Sequence, residues 1–398
     1  LVKKGKLMPT RRSFLTICGT IAGAEYIFNG SVLAATKAPP GADRATAALN
    51  GKKADNPQAK PTAARDGDML GDLTYFTTTA DTVLLALAKE YDVGILEVSA
   101  VNQGVDAWVP GPDKLILLPT AHLLPQVART PGSIVVNKSE LRLYYFPKDG
   151  PIETHAIGIG RESHGTPDGS TTITRKKKDP TWTLTADERK AHPELPAVMP
   201  PGPDNPMGDR AMYLGWPAYA IHSTNQEYGV GRLASRGCIR LYTAVAHHLF
   251  DVLPIGTKVT TVEQPIKAGW RQGGLFIEVH PTYEQLNQLE DTYTFKADQT
   301  APMADARKLL EAKASDVIDE IDWDRVQAEL VQRRGIPVQV WGPPVAITGG
   351  VKPSLDASAT STGEVAEAQE ERPTADHPGT GLNPANVAPR DSGLNGVY

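Results

Sequence analysis

Two residues of reactive type stand close together in the sequence. His222 lies in Ala220-Ile221-His222-Ser223-Thr224-Asn225, and Cys238 lies in Ser235-Arg236-Gly237-Cys238-Ile239-Arg240-Leu241. A thiol with an ordinary pKa of about 8.5 is mostly protonated at neutral pH, so a nucleophilic cysteine needs a base or a positive field. His222 titrates in the range of such a base. Arg236 and Arg240 are fixed cations that can lower the thiol pKa or hold a substrate carboxylate. Gly237 lets the backbone approach a substrate closely, and amide N–H groups beside Cys238 then face a developing oxyanion. The gap from His222 to Cys238 suits one strand going out and the next returning, with both side chains at one end of a sheet.

The rest of the sequence says where such a thiol works. Among 398 residues there are two cysteines, Cys18 and Cys238. Thr10-Arg11-Arg12-Ser13-Phe14-Leu15 opens an apolar stretch reaching about Phe28, with small residues at Ala34 and Ala35. This is the order of an export signal, residues 1–35, and the paired arginines resemble the twin-arginine type. Gly19, Gly23 and Glu25 interrupt the stretch, which falls short of the roughly 20 apolar residues of a membrane span. Removal of the signal takes Cys18 with it and leaves Cys238 as a single thiol in an oxidising compartment, where cysteines are usually paired. A net charge of −5 with scattered basic residues speaks against a nucleic-acid partner.

The elements that position the pair follow from patterning. Residues 36–67 are Ala-, Pro-, Lys- and Asp-rich and read as a flexible spacer. Over 68–120 the order is strand, helix, helix, strand. Thr74-Tyr75-Phe76 is the first strand, and Asp81-Thr82 starts a helix carrying Val83, Leu84, Leu87 and Ala88. A second helix runs from Ile95 to Val101, and a last strand over Lys114 to Pro119 follows Val109-Pro110-Gly111. From Gly132 to about Val262 strands dominate, with a hairpin turn at Asn137-Lys138-Ser139-Glu140 and a proline-rich insertion from Lys176 to Pro206. Thr243 caps a helix bearing Val245, Leu249, Val252 and Leu253. Residues 264–348 form an extension with a strand at Leu275 to Val279 and helices over Ala301 to Arg334, with caps at Ser315 or Asp322. Residues 349–398 read as a disordered tail.

The His222–Cys238 stretch resembles the L,D-transpeptidase catalytic domain of the YkuD type. That family's pattern is an Ile-His-Gly-Thr-like segment, a gap of this length, and Ser-His-Gly-Cys followed by Arg or Asn. Thr166-Pro167-Asp168-Gly169, Asp179-Pro180-Thr181-Trp182 and Pro201-Gly202-Pro203-Asp204-Asn205-Pro206-Met207-Gly208 match as well. The resemblance covers residues 131–263 and implies a mainly β catalytic domain, a β-sandwich. It implies that Cys238 attacks the diaminopimelate carbonyl of a peptidoglycan stem tetrapeptide, giving a thioester as D-alanine leaves. An amine then resolves the thioester: another diaminopimelate, a lysine of an envelope or outer-membrane protein, or an amino acid; water is the hydrolytic alternative. His222 is the implied base and later acid. Ser223 holds the position that orients the imidazole, and Gly237 and Cys238 supply oxyanion donors. Arg236 stands where many relatives carry a second histidine. Residues 68–120 resemble a lysin motif (LysM), a small βααβ module that binds glycan, with Ala80 replacing the usual glycine before Asp81-Thr82. No metal or cofactor is implied, no stable membrane anchor is expected, and the expected location is the periplasm.

Other residues carry blander readings. Trp182 and Tyr213 either line a peptide cleft or simply pack. His247 and His248 read as surface and core-edge residues on the helix after Cys238; His164, His192 and His280 lack metal-binding spacing. Lys176-Lys177-Lys178 reads as a solvated loop. The competing functions are an L,D-carboxypeptidase or amidase on the same fold, a wall-degrading cysteine peptidase, and a non-catalytic wall-binding protein. His222 preceding Cys238 reverses the usual order of the peptidase, and an intact pair argues against the non-catalytic reading.

Overall fold

Between residues 73 and 118 the apolar spacing produces the expected order: β1 (Leu73–Thr77), α1 (Leu84–Glu90), α2 (Ile95–Val101) and β2 (Leu115–Leu118). The structure, a computed structural model, describes residues 65–161, 165–191, 193–298 and 302–352. The expected signal, Cys18, His164, His192, nearly all of the spacer and the tail beyond 352 lie outside the described residues. Helix α1 begins at Leu84, later than Asp81-Thr82 suggests, because Thr82 Oγ1 is engaged by the Thr79 amide in a turn before it. Leu84, Leu87 and Ala88 face the core. Asn102 ends α2 and stitches it to β2: its Nδ2 donates to Val98 O and Leu117 O, and its Oδ1 accepts from Leu117 N.

The chain continues with β3 (Ser133–Asn137), β4 (Arg142–Phe146), β5 (Glu153–Ala156), β6 (Ile159–Gly160), β7 (Gly169–Lys178), β8 (Trp182–Thr183), α3 (Ala186–Ala191) and β9 (Val198–Met199). Then follow β10 (Arg210–Leu214), β11 (Ala220–His222), β12 (Leu233–Ser235), β13 (Ile239–Arg240), α4 (Thr243–Val252) and β14 (Lys258–Val262). Eight strands form one sheet in the order β13-β11-β10-β7-β14-β3-β4-β5. Just after β5, Gly158 exchanges two backbone hydrogen bonds (2.9 and 2.8 Å) with Arg240 of β13, so the sheet closes on itself around one apolar core. Lys176-Lys177-Lys178, expected in a loop, pairs with Met212, Ala211 and Arg210 as the end of β7.

The βααβ segment shares that core and is pinned to the sheet by polar contacts. Buried Arg142 of β4 pairs with Glu97 of α2 at 3.0 Å, and Tyr242 donates its hydroxyl to Val93 O. The closest approach is backbone on backbone: a Cβ on Gly231 would lie 2.3 Å from Gly94 Cα, and Gly231 has φ +75°. Only glycine fits there, both sterically and conformationally.

The extension is more β-rich than its helical pattern suggests. Strands β15 (Ile266–Arg271) and β16 (Gly274–Val279) precede α5 (Tyr283–Thr292), α6 (Met303–Ala314), α7 (Trp323–Gln332) and β17 (Val338–Trp341). β15, β16 and β17 make a three-stranded sheet with its own apolar core beneath α6 and α7. Helix α5 was missed by periodicity, yet its capping box, Thr282 with Gln285, is visible in the sequence. Asp322 caps α7, as expected of one of the two candidates, while Ser315 sits at the C-terminal end of α6. Residues 349–352, expected in the disordered tail, instead belong to β18 (Thr348–Lys352), which lies parallel to β1.

The junction of these parts is a buried ionic cluster. Lys267 of β15 pairs with Glu140, which follows β3, and with Glu278 of β16 at 2.9 Å; both carboxylates and the ammonium are fully enclosed. Lys267 also donates to Leu123 O (2.6 Å) and to the Tyr144 hydroxyl (3.1 Å). His280 Nε2 lies 2.8 Å from Glu278, so it belongs to a cluster that its sequence spacing did not reveal. The Leu123 carbonyl, side chains of the eight-stranded sheet region and side chains of the extension therefore meet around one internal cation.

Candidate active site

Strand β11 carries His222 and β13 follows Cys238, and the two strands pair in parallel. Ile221 stands opposite Ile239 and His222 opposite Arg240. Cross-strand partners share a face, so Cys238 falls beside Ala220, on the face that holds His222 and Arg240. Packing agrees: Cys238 lies against the cluster of Met207, Ala211 and Ala220, together with Trp182 and Tyr213. Both aromatic candidates from the sequence pack against the same small cluster as Cys238.

The segment around Cys238 is held in place by hydrogen bonds. Ser235 Oγ donates to Cys238 O (2.5 Å) and accepts from Gly237 N (3.1 Å), while Thr166 Oγ1 donates to Gly237 O (2.8 Å). Gly237 has φ +104°, a conformation open to glycine. Its amide, expected as an oxyanion donor, is engaged by Ser235, so an oxyanion would have to replace that hydroxyl. The Cys238 side chain is half-buried, and its thiol donates to Ala218 O at 3.6 Å.

His222 is 4 % exposed. Burial, and then the Arg240 cation, pull its pKa down to about 4, against a smaller upward pull from the carbonyls of Ser223 and Met207. The imidazole is therefore neutral at pH 7. Its Nδ1 lies 2.5 Å from Ser223 O, which only a protonated Nδ1 can satisfy, leaving Nε2 as the basic nitrogen. Ser223 thus orients the ring through its carbonyl, and its hydroxyl turns elsewhere, to Asp209 Oδ1 at 2.9 Å.

The two arginines separate. Arg236 is exposed, whereas Arg240 is 6 % exposed. Burial pushes the Arg240 guanidinium below its ordinary value, and the Cys238 charge acts in the opposite sense, which marks the pair as electrostatically coupled. The insertion forms β8, α3 and β9 and is tied together by fully buried Asn205. This side chain donates to Pro180 O and Pro200 O and accepts from Met207 N. Its role was missed, although its segment was singled out.

For a metal, His122, Glu140 and Glu278 offer ligand atoms within 4.8 Å of one another, but the Lys267 ammonium already sits between the two carboxylates as their cation. This cluster is separate from the thiol pocket in its residues. His247 reaches Asp209 at 2.6 Å and His248 reaches Glu153 at 2.8 Å; both are surface residues, as expected, yet each has a defined partner.

A depressed His222 pKa has a measurable consequence. The acylation rate should hold its plateau through pH 6.5 and fall only toward pH 4, because the free base persists that far. Stability begins to fall at a higher pH than the rate does. Below about pH 6.5 the unfolded chain takes up a proton that folded His222 excludes, so stability drops until the pH reaches about 4. Mass spectrometry of the acyl adduct across pH tests the first point; a midpoint near 6.5 would contradict it.

The chain matches known proteins over the same region. Residues 131–261 match the YkuD family, described as the L,D-transpeptidase catalytic domain. The probable L,D-transpeptidase ErfK/SrfK of Escherichia coli (strain K12) is 37% identical over 264 residues, covering 65% of this chain and 82% of that protein. The probable L,D-transpeptidase YbiS of the same strain is 36% identical over 261 residues, covering 64% and 81%. The probable L,D-transpeptidase YcfS is 40% identical over 215 residues, covering 51% and 67%. With a thiol and a neutral imidazole on one face of paired strands, and with this identity across most of its relatives' length, the chain belongs to the L,D-transpeptidase family and is an enzyme of that family.

Proposed function

We propose that the enzyme acts on peptidoglycan stem peptides through a thioester on Cys238. His222 Nε2 takes the thiol proton as sulfur attacks the diaminopimelate carbonyl, and returns it to the D-alanine amine as the peptide bond breaks. An amine acceptor then attacks the thioester, loses its proton to His222 and releases the thiolate. One observation carries this reading: a half-exposed thiol beside Ala220 shares its strand face with an imidazole whose Nδ1–H is tied to Ser223 O. Arg240, buried and coupled to Cys238, stabilises the thiolate, and Tyr213 and Trp182 flank the donor peptide.

The finer proposals follow the same logic. The βααβ segment serves as a lysin-motif-like glycan contact. A cleft of about 220 Å³ between α1 and residues 227–230 supports this, because Trp108 and Tyr228 offer exposed rings for stacking. The substrate places the enzyme in the periplasm, reached through the twin-arginine-like signal. Among the described residues no helix is long and apolar enough to cross a membrane.

Purified muropeptides incubated with the enzyme test the reaction. Cross-linked dimers are expected with the wild type and none with Cys238→Ala. Trimmed monomers alone would mean that water is the acceptor, and unchanged substrate would mean that the protein only binds wall.

A further inference from the structure

Behind His222 lies a set of contacts that the reaction as described does not use. Ser223 Oγ donates to Asp209 Oδ1 (2.9 Å) and accepts from the amides of Asp209 (2.9 Å) and Arg210 (3.0 Å). The fit leaves no slack, since a Cβ on Gly208 would fall 2.3 Å from that oxygen, and Gly208 has φ +59°. The second oxygen of Asp209 lies 2.6 Å from His247 Nε2 and accepts from Arg210 Nη1 at 3.2 Å. His247 belongs to α4, the helix that follows the strand after Cys238. One carboxylate thus joins the residue that orients the base to the helix that continues from the nucleophile.

We propose that Asp209 is a positioning residue for transpeptidation: through the Ser223 hydroxyl it fixes the carbonyl that holds His222 with its proton on Nδ1, and through His247 it locks β11 against α4. The proposal rests on the reading of His222 as the base. Residue 223 is the pivot, because its carbonyl and hydroxyl act in opposite directions along one short segment. Rotation of that peptide by a few tens of degrees would take the carbonyl off Nδ1, and the hydroxyl's three bonds oppose this rotation. Burial pushes the Asp209 carboxyl up, but the bonds from Ser223 and His247, with the charges of His247 and Arg210, outweigh it and keep the group ionised at neutral pH.

The experiment compares Asp209→Ala and Asp209→Asn in the full chain. Kinetics of Cys238 acylation give kcat and KM, and nitrogen-15 NMR of the His222 ring reads its tautomer. Asp209→Ala should lower kcat about tenfold with KM unchanged, as expected for a lost charged hydrogen bond, and should yield a mixture of Nδ1–H and Nε2–H forms. Asp209→Asn still accepts from Ser223 and should restore both readouts to within about threefold. An unchanged tautomer and kcat in Asp209→Ala would overturn the proposal, as would equal loss in both variants. If Asp209→Ala does not fold, Ser223→Ala removes the same link and is judged by the same two readouts. The tautomer does not depend on what His222 does in catalysis. Normal acylation by His222→Ala would therefore defeat the base assignment without touching the ring's positioning.

Discussion

His222→Ala is expected to slow acylation of Cys238 by about 10²–10⁴-fold, the range typical of a lost general base, while Arg236→Ala keeps most of the activity. The asymmetry follows from burial and protonation. His222 is buried, neutral at pH 7 and held by Ser223 O, so Nε2 is ready to accept the thiol proton. Arg236 occupies the position of a second histidine but is exposed and permanently charged, so it has no lone pair to offer and its field is screened by water. The nearby cation that acts on the thiol is Arg240, buried opposite His222. Time-resolved mass spectrometry of the acyl adduct separates the variants. Comparable losses in His222→Ala and Arg236→Ala would reverse this division of roles.

Lys267→Met should lower the unfolding free energy by about 3–5 kcal/mol, the cost of leaving buried carboxylates without their cation. Glu140 and Glu278 are both fully enclosed and share this ammonium. Replacing all three together (Glu140→Gln, Glu278→Gln, Lys267→Met) should recover much of the loss, because the desolvation penalty goes with the charges. The cluster also has a pH signature. Burial and the neighbouring cations hold His122 well below its ordinary value, so stability falls as the pH drops below 6.5, where the unfolded chain takes up that proton. Glu278 is pushed up by burial but held below its ordinary value by Lys267 and His280; the stability it contributes is lost at lower pH, as the carboxylate protonates. Urea denaturation of the single and triple variants measures both effects, and a single-variant loss under about 1 kcal/mol would show that the charges are screened.

Much of the site was legible because its chemistry is local in sequence. Cys238, Gly237 and Arg240 fall in one short segment and His222 in the segment before it, but their strands pair in parallel and not out and back as the gap suggested, so the chain crosses over between them through β12, which pairs with β6. Trp182 and Tyr213 were legible as residue types, but their packing on the cluster that Cys238 also touches depends on the insertion that Asn205 ties down. Asp209 and His247 carried no signal, since an acid before a strand and a histidine on an exposed helix face are ordinary surface features. The kinship of Glu140, Lys267, Glu278 and His280 was equally silent. Their chemistry depends on burial, and burial depends on how three segments far apart in the chain close over one point.

The Cys238 and His222 segments were therefore legible in the sequence, along with the strand-rich region and the βααβ segment, because hydrophobic period and motif spacing are properties of neighbours along the chain. Tertiary structure alone decided that the sheet closes through Gly158 and Arg240 and that Arg240 rather than Arg236 is the buried cation. It also turned Ser223 so that its carbonyl serves the imidazole and its hydroxyl serves Asp209. Each of these depends on which groups lose their water when the chain folds, a quantity that no local pattern of residues contains.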